Sequence, residues 1–172
     1  FTLEVLNTDL RKPRIIYFHG DQLFIGSRSG NVYRLDPPYT TATTLVKLDN
    51  YPHSITIRDG YIYVARKNGV YRAPYSKQAS SIADSSFNLF VKLPTGKGHS
   101  SRTIKLGPDN RLYVSLGISG NCSDQYLDDS YPFKTRRGGV FVIDESGDTP
   151  ALIPYASGLR NPIGFDWHPQ SG

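Results

Sequence analysis

The 172-residue sequence contains no methionine and a single cysteine, Cys122. One cysteine gives neither a disulfide framework nor a cysteine-based metal site within this chain. We interpret Cys122 as a loop thiol or as half of a bridge to residues outside the chain. No apolar run approaches the roughly 20 residues that a membrane-spanning helix needs, so we predict no membrane span. A basic-then-apolar leader is also absent, and we expect any signal peptide to have been removed.

Clustered charge and helical periodicity are lacking as well. Lys and Arg number 20 against 15 Asp and Glu, a net charge of +5, and they form no run or stripe. Nucleic-acid binding requires a clustered basic face with interleaved aromatic residues, so we predict no nucleic-acid partner. The excess of positive charge favours only a mild attraction for a small anionic ligand. The nearest approach to a helix, residues 76–86, is Ser-rich and predicts a loop or a single turn.

The residues that are abundant suit strands and turns. The chain has 12 Tyr, 8 Phe, 16 Gly and 12 Pro, with many Val, Ile and Thr. A strand–turn–strand phrase recurs at residues 21–26, 59–64 and 109–114. Strand-only units that recur every ~40–50 residues are typical of β-propeller blades. The sequence therefore predicts an all-β fold, a β-propeller.

The repeat divides the chain into three blade copies and the start of a fourth, at residues 14–48, 54–93, 103–155 and, incomplete, 163–172. Rings of blades close with about 4–8 members, so we expect this chain to be part of a longer propeller. The predicted strands are 14–18, 23–27, 31–35 and 43–48; 54–58, 61–66, 70–73 and 87–93; 103–106, 111–116, 139–144 and 151–155; and a fourth inner strand at 163–167.

One connection, between Leu116 and Gly139, is far longer than the 2–5 residues of an ordinary hairpin loop. It is either a functional loop or a surface insertion. Its carboxylates at Asp124, Asp128 and Asp129 are oxygen ligands of the kind that calcium prefers. Their spacing matches no known calcium loop, so we assign no metal ligand in this chain.

Polar residues precede the inner strand of each blade. His53, His99 with Arg102, and Arg160 with Asn161 occupy equivalent places in three successive copies. Inner strands line the central channel of a propeller, so these side chains are expected at one mouth of that channel. A histidine there can act as a base near neutral pH, and an arginine can hold a carboxylate or a carbonyl oxygen. Each also has an ordinary alternative: turn or packing residues for the histidines, an ion pair for Arg160.

The phrases around these residues resemble the glucose/sorbosone dehydrogenase family. They are Leu93-Pro94 with His99 and Arg102, then residues 107–117, Gly138-Gly139-Val140 and residues 156–164. The resemblance is closest over residues 94–169, and residues 117–124 are similar to the sorbosone-dehydrogenase branch. The family consists of soluble, pyrroloquinoline quinone (PQQ)-dependent aldose dehydrogenases built as a six-bladed β-propeller.

The resemblance implies a role for each residue. His99 would take the proton from the substrate hydroxyl while hydride passes to the quinone. Arg160 would polarise the quinone oxygens, and Asn161 would help to bind the cofactor. Arg102 would support the cofactor-binding site. The family's calcium ligands would lie beyond residue 172. A small-molecule sugar substrate and a periplasmic or extracellular location are also implied.

One departure and two alternatives accompany the resemblance. Ile118-Ser119 stands where sugar dehydrogenases of the family often carry glutamine, which leaves the sugar open. A non-catalytic ligand- or protein-binding propeller is one alternative. A metal-dependent lactonase-type propeller is another, although no Glu is placed at the channel mouth. We expect the chain alone to have little or no activity.

Overall fold

The structure, a computed structural model, describes residues 1–122 and 137–170. Within these residues it contains twelve strands in three four-stranded antiparallel sheets, and one 3₁₀ turn at Asp84–Ser86. The all-β prediction is confirmed. Each sheet is a meander in which consecutive strands are neighbours, as in a propeller blade. No helix among the described residues is long and apolar enough to cross a membrane.

The first sheet shows how the sequence sets the strands. Gly20 adopts a positive φ of 61° in the turn between the first two strands, a conformation that glycine reaches without steric cost. The second strand is buried along its whole length because it lies in the interior of the sheet. The strands are β1 Pro13–His19, β2 Gln22–Ser27, β3 Asn31–Leu35 and β4 Ala42–Lys47.

The second and third sheets repeat this arrangement. Asp59 and Asn110 take the positive φ values, 51° and 61°, at their inner hairpins; both residue types tolerate that region. The strands are β5 Ser54–Arg58, β6 Tyr61–Arg66, β7 Gly69–Pro74 and β8 Asn88–Lys92, then β9 Ile104–Leu106, β10 Leu112–Leu116, β11 Gly139–Asp144 and β12 Ala151–Ser157.

The core lies between the faces of successive sheets. One apolar cluster joins the first and second sheets around Phe24, Leu45 and Ile62, and another joins the second and third around Tyr63 and Leu112. Burial on both faces explains why the middle strands are nearly continuous apolar runs. This packing fixes the order of the blades and therefore the place of each inner strand.

Side-chain hydroxyls connect the segments at which the inner strands of successive blades begin. Ser54 Oγ donates to the Arg102 carbonyl over 2.8 Å and accepts from the Ile104 amide over 2.7 Å. One blade further on, Ser115 Oγ donates to the Pro162 carbonyl over 2.7 Å, and Thr103 Oγ1 donates to the Ile163 carbonyl. The residues that precede the strands are thereby tied from blade to blade.

The inner strand predicted at residues 163–167 is not formed in the structure. A strand is defined by a ladder of backbone hydrogen bonds, and no strand of the described residues pairs with this segment. It lies instead against the third sheet, where the Trp167 ring meets Tyr113 at 4.9 Å between centroids. Its start nevertheless occupies the expected place beside β9, through the carbonyls of Pro162 and Ile163.

Candidate functional site

Three loop segments meet where the sequence predicted a channel mouth. The His99 amide donates to the Ile118 carbonyl over 3.0 Å, and the Ile118 amide donates to the Arg160 carbonyl over 2.9 Å. These two bonds place the segments that precede β9, follow β10 and follow β12 side by side. His99, Arg160 and Asn161 are therefore brought to one place.

Gly117 is the residue on which His99 and Asn161 converge. A Cβ built there would lie 2.6 Å from the Cβ of His99 and 2.6 Å from Oδ1 of Asn161. No side chain fits in that space, so only glycine lets the two side chains approach across it. The backbone of Gly98, with a φ of 84°, is packed as tightly against Ser119. A Cβ built on Gly98 would lie 2.1 Å from the Ser119 carbonyl oxygen.

Asn161 is half-buried, and its Oδ1 has no hydrogen-bond donor among the described residues. A buried polar atom without a partner is rare in folded proteins, because it forgoes its interaction with water. Because this oxygen is closed to solvent, a ligand group would reach it only after a movement of the Asn161 side chain.

Arg160 precedes Asn161 in the segment that is bonded to Ile118, and it carries a positive charge. Its side chain is exposed, Nη2 donates to Oδ1 of Asn121, and it forms no ion pair within the described part of the chain. The ordinary ion-pair alternative for Arg160 is therefore not realised among these residues. Its charge remains available to an anion or a polarised oxygen.

Arg102 holds the His99 loop from within. It is fully buried, with 0% exposure, and its guanidinium donates to the carbonyls of His99, Ser101 and Pro94 over 3.2, 2.7 and 3.3 Å. Burial, together with the nearby charge of Arg137, lowers the pKa of Arg102 to about 10. The structure thus places Arg102 behind the site, where it fixes the backbone that carries His99.

Arg137 is a second brace, and sequence reasoning missed it. Only 5% exposed, it donates to the carbonyls of Gly117, Lys97 and His99 over 2.7, 3.0 and 2.6 Å. These contacts join the His99 loop to the segment that contains Gly117. The only signal in the sequence was a basic residue at the end of the long connection.

His53 lies beside this assembly but is 1% exposed. Its Nδ1 is 3.0 Å from the Arg102 carbonyl, which requires Nδ1 to carry the proton. Burial is the main cause that lowers the pKa of His53 to about 4, and the charges of Arg14 and Arg102 add to it. His53 is therefore neutral at physiological pH and ties two blades together.

The remaining predictions concern the carboxylates of the long connection, Cys122 and metal binding. Asp124, Asp128 and Asp129 lie outside the described residues. Cys122 is an exposed free thiol. Within the residues that the structure describes, no group of three His, Cys, Asp or Glu side chains is arranged to hold a metal ion.

Comparison with known proteins places the chain in a family. The family model described as TrAA12-like matches residues 1–172. The chain belongs to the TrAA12-like family. The family is one of PQQ-dependent oxidoreductases, so the resemblance seen in the sequence is confirmed.

Solved structures of other proteins are similar to this chain. The TrAA12-like chain is 25% identical to a structure of the Trichoderma reesei member of carbohydrate-active enzyme family AA12, with a TM-score of 0.70 over 82% of this chain and 38% of that one. It is 17% identical to PQQ-bound aldose sugar dehydrogenase from Streptomyces coelicolor, with a TM-score of 0.68 over 92% of this chain and 54% of that one.

A curated relative, quinoprotein glucose dehydrogenase B of Acinetobacter calcoaceticus, is 21% identical over 98% of this chain and 46% of its own length. The TrAA12-like chain thus spans roughly half or less of each of these three proteins. The β-propeller fold predicted from the repeat is confirmed.

Proposed function

We propose that the protein containing this chain is a quinoprotein sugar dehydrogenase of the sorbosone type. It oxidises an aldose or a related alcohol or aldehyde with PQQ, and this chain supplies the general base. The observation that carries the proposal is the convergence of His99 and Asn161 on Gly117, beside an Ile118 amide that donates to the Arg160 carbonyl.

The residues at the mouth fit the cofactor. PQQ is a planar tricarboxylate with two quinone oxygens, and it needs cationic and amide partners. Asn161 offers a side-chain amide whose Oδ1 has no donor among the described residues, and Arg160 offers an exposed cation. Arg160 and Asn161 would therefore hold the cofactor.

A residue of this chain, His99, takes up the proton that the substrate hydroxyl loses. Arg160 and Asn161 would hold the quinone, which would serve as the two-electron oxidant for the substrate carbon. The imidazole of His99 accepts the proton of the substrate hydroxyl, so that a C=O bond can form. Arg160 stabilises the negative charge that grows on nearby oxygens. Arg102 and Arg137 hold the His99 carbonyl, which keeps the base at a fixed place.

The calcium ion that accompanies PQQ in the resembling family would be held by residues outside this chain. A periplasmic or extracellular location accords with the resemblance. The sugar itself is not fixed by the mouth residues, because Ile118-Ser119 replace the glutamine often found in sugar dehydrogenases of the family.

The test is a PQQ and calcium titration of the full-length protein, followed by dye-linked oxidation of a panel of aldoses and sugar alcohols. We expect saturable PQQ binding and turnover. His99→Ala should keep PQQ affinity within about threefold and lower kcat by about 10²–10⁴-fold, the usual contribution of a general base. Arg160→Ala should weaken PQQ binding itself. An intact full-length protein that binds no PQQ would overturn the proposal and favour a binding propeller.

A further inference from the structure

A cavity of about 490 Å³ opens beside His99. Its size lies within the range of roughly 300–1,000 Å³ typical of small-molecule sites. Tyr51 and His53 precede the inner strand β5, and His99 and Ser100 precede β9, so the cavity forms part of the predicted channel mouth. Its wall also includes Arg14 and Arg28.

Two arginines on the wall of this cavity share one aromatic ring. The guanidinium carbons of Arg14 and Arg28 each lie 6.0 Å from the centre of the Tyr51 ring. Arg14 begins the first inner strand, whereas Arg28 lies in the turn after β2. The fold thus places two cations from different segments around one aromatic ring.

Neither cation is neutralised within the described part of the chain. Arg14 and Arg28 form no ion pair and no side-chain hydrogen bond among these residues. The adjoining His53 is uncharged, and Arg14 itself contributes to lowering its pKa to about 4. The cavity therefore has an excess of positive charge beside the proposed base, and no carboxylate lines it.

We propose that this cavity binds the carboxylate of a sugar-acid substrate, such as a hexuronic acid, while the sugar's reacting hydroxyl faces His99. Arginine guanidinium groups present paired N–H donors that match a carboxylate. The Ser100 hydroxyl offers a polar partner for the sugar. The inference rests on the proposed function for the chemistry: the reacting carbon loses a hydride to the quinone oxidant, its hydroxyl loses a proton to His99, and the carboxylate is unchanged.

The test is calorimetric titration of the full-length protein with D-glucuronate and D-glucose, with and without PQQ. We expect D-glucuronate to bind about tenfold or more tightly than D-glucose, with an affinity that falls as salt rises. Arg14→Gln and Arg28→Gln should each reduce this preference about tenfold. Arg14→Lys should restore part of it, because it keeps the charge but loses the fork of donors.

The matched control is Arg111→Gln, which removes the same charge from the exposed turn before β10. It should leave the glucuronate preference unchanged. Equal affinity for the two sugars, or a preference that survives both substitutions, would overturn the inference. So would a loss of PQQ affinity in Arg14→Gln with the preference retained, since the cavity would then serve the cofactor's carboxylates.

The binding arm without PQQ separates this inference from the proposed function. If PQQ fails to bind but glucuronate binding depends on Arg14 and Arg28, the dehydrogenase proposal fails and the cavity assignment stands. If PQQ binds and neutral aldoses turn over without any glucuronate preference, the cavity assignment fails alone. Thermal unfolding of each variant shows whether it is folded.

Discussion

The substitution Gly117→Ala tests the arrangement of the site most severely. The new Cβ would lie 2.6 Å from His99 Cβ and from Asn161 Oδ1, whereas non-bonded carbon atoms approach comfortably to about 3.5 Å. The two side chains must therefore retreat by about 1 Å. A displacement of that size at reacting groups can lower turnover about 100-fold. Overpacking of this kind costs about 1–3 kcal/mol of stability.

Gly164→Ala is the matched control. Its Cβ meets nothing within 4 Å, and its backbone does not adopt a positive φ. We expect this variant to stay within about 0.5 kcal/mol of wild type and to keep its activity. Dye-linked turnover, PQQ affinity and urea unfolding of the full-length protein give the three readouts. Wild-type turnover and PQQ affinity in Gly117→Ala would refute the convergence of His99 and Asn161 on this glycine.

Three further perturbations test the surroundings of the site. The pKa of His53 falls from 6.5 to about 4 on folding, so its contribution to stability is complete above pH 6.5 and is lost as the pH falls to 4. We expect the free energy of unfolding, measured in urea, to fall by about 3 kcal/mol over this window. This pH dependence should be absent in His53→Gln. Arg137→Met removes its hydrogen bonds to the carbonyls of Gly117 and Lys97 and leaves the His99 carbonyl with Arg102 alone, which should cost about 3 kcal/mol; unchanged thermal unfolding would contradict its bracing role. Glu145→Gln removes the 2.8 Å ion pair with Arg58 and should cost about 1 kcal/mol or less, because Glu145 is one-third exposed (34%); a larger loss in a double-mutant cycle would contradict this.

The repeat was enough to predict most of the fold. Turn residues such as Asp59 and Asn110 punctuate apolar runs, and each predicted strand from 14–18 to 151–155 overlaps an observed strand, with ends that differ by at most two residues. Local turn chemistry and burial on both faces determine these boundaries. The segment 163–167 differs, because whether it becomes a strand depends on a partner that its own sequence does not encode.

The site was predictable in part. Equivalent positions in successive blades predicted that His99, Arg160 and Asn161 lie close together. The structure brings His99 and Asn161 to Gly117 and bonds the Arg160 carbonyl to the neighbouring Ile118 amide. The repeat also grouped His53 and Arg102 with them, but both are buried: Arg102 lies behind the His99 loop, and His53 borders the cavity beside His99 with only 1% exposure. Exposure depends on how loops fold over a position, which equivalence between repeats does not reveal.

The contacts of Arg137 could not be predicted from the sequence. It reaches from the end of the long connection to three carbonyls in two other segments. No periodicity or motif encodes such contacts, because they depend on the path of an insertion that only one blade carries. The shared Tyr51 ring under Arg14 and Arg28 is likewise visible only in three dimensions.

Equilibrium titration of the full-length protein with PQQ, comparing wild type with Asn161→Ala and Arg160→Ala, tests directly whether these two residues hold the cofactor. We predict saturable one-to-one binding by wild type and at least tenfold weaker binding by each variant, since each loses a partner of the bound cofactor. Equal PQQ affinity in all three folded proteins would contradict the placement of the cofactor over Arg160 and Asn161.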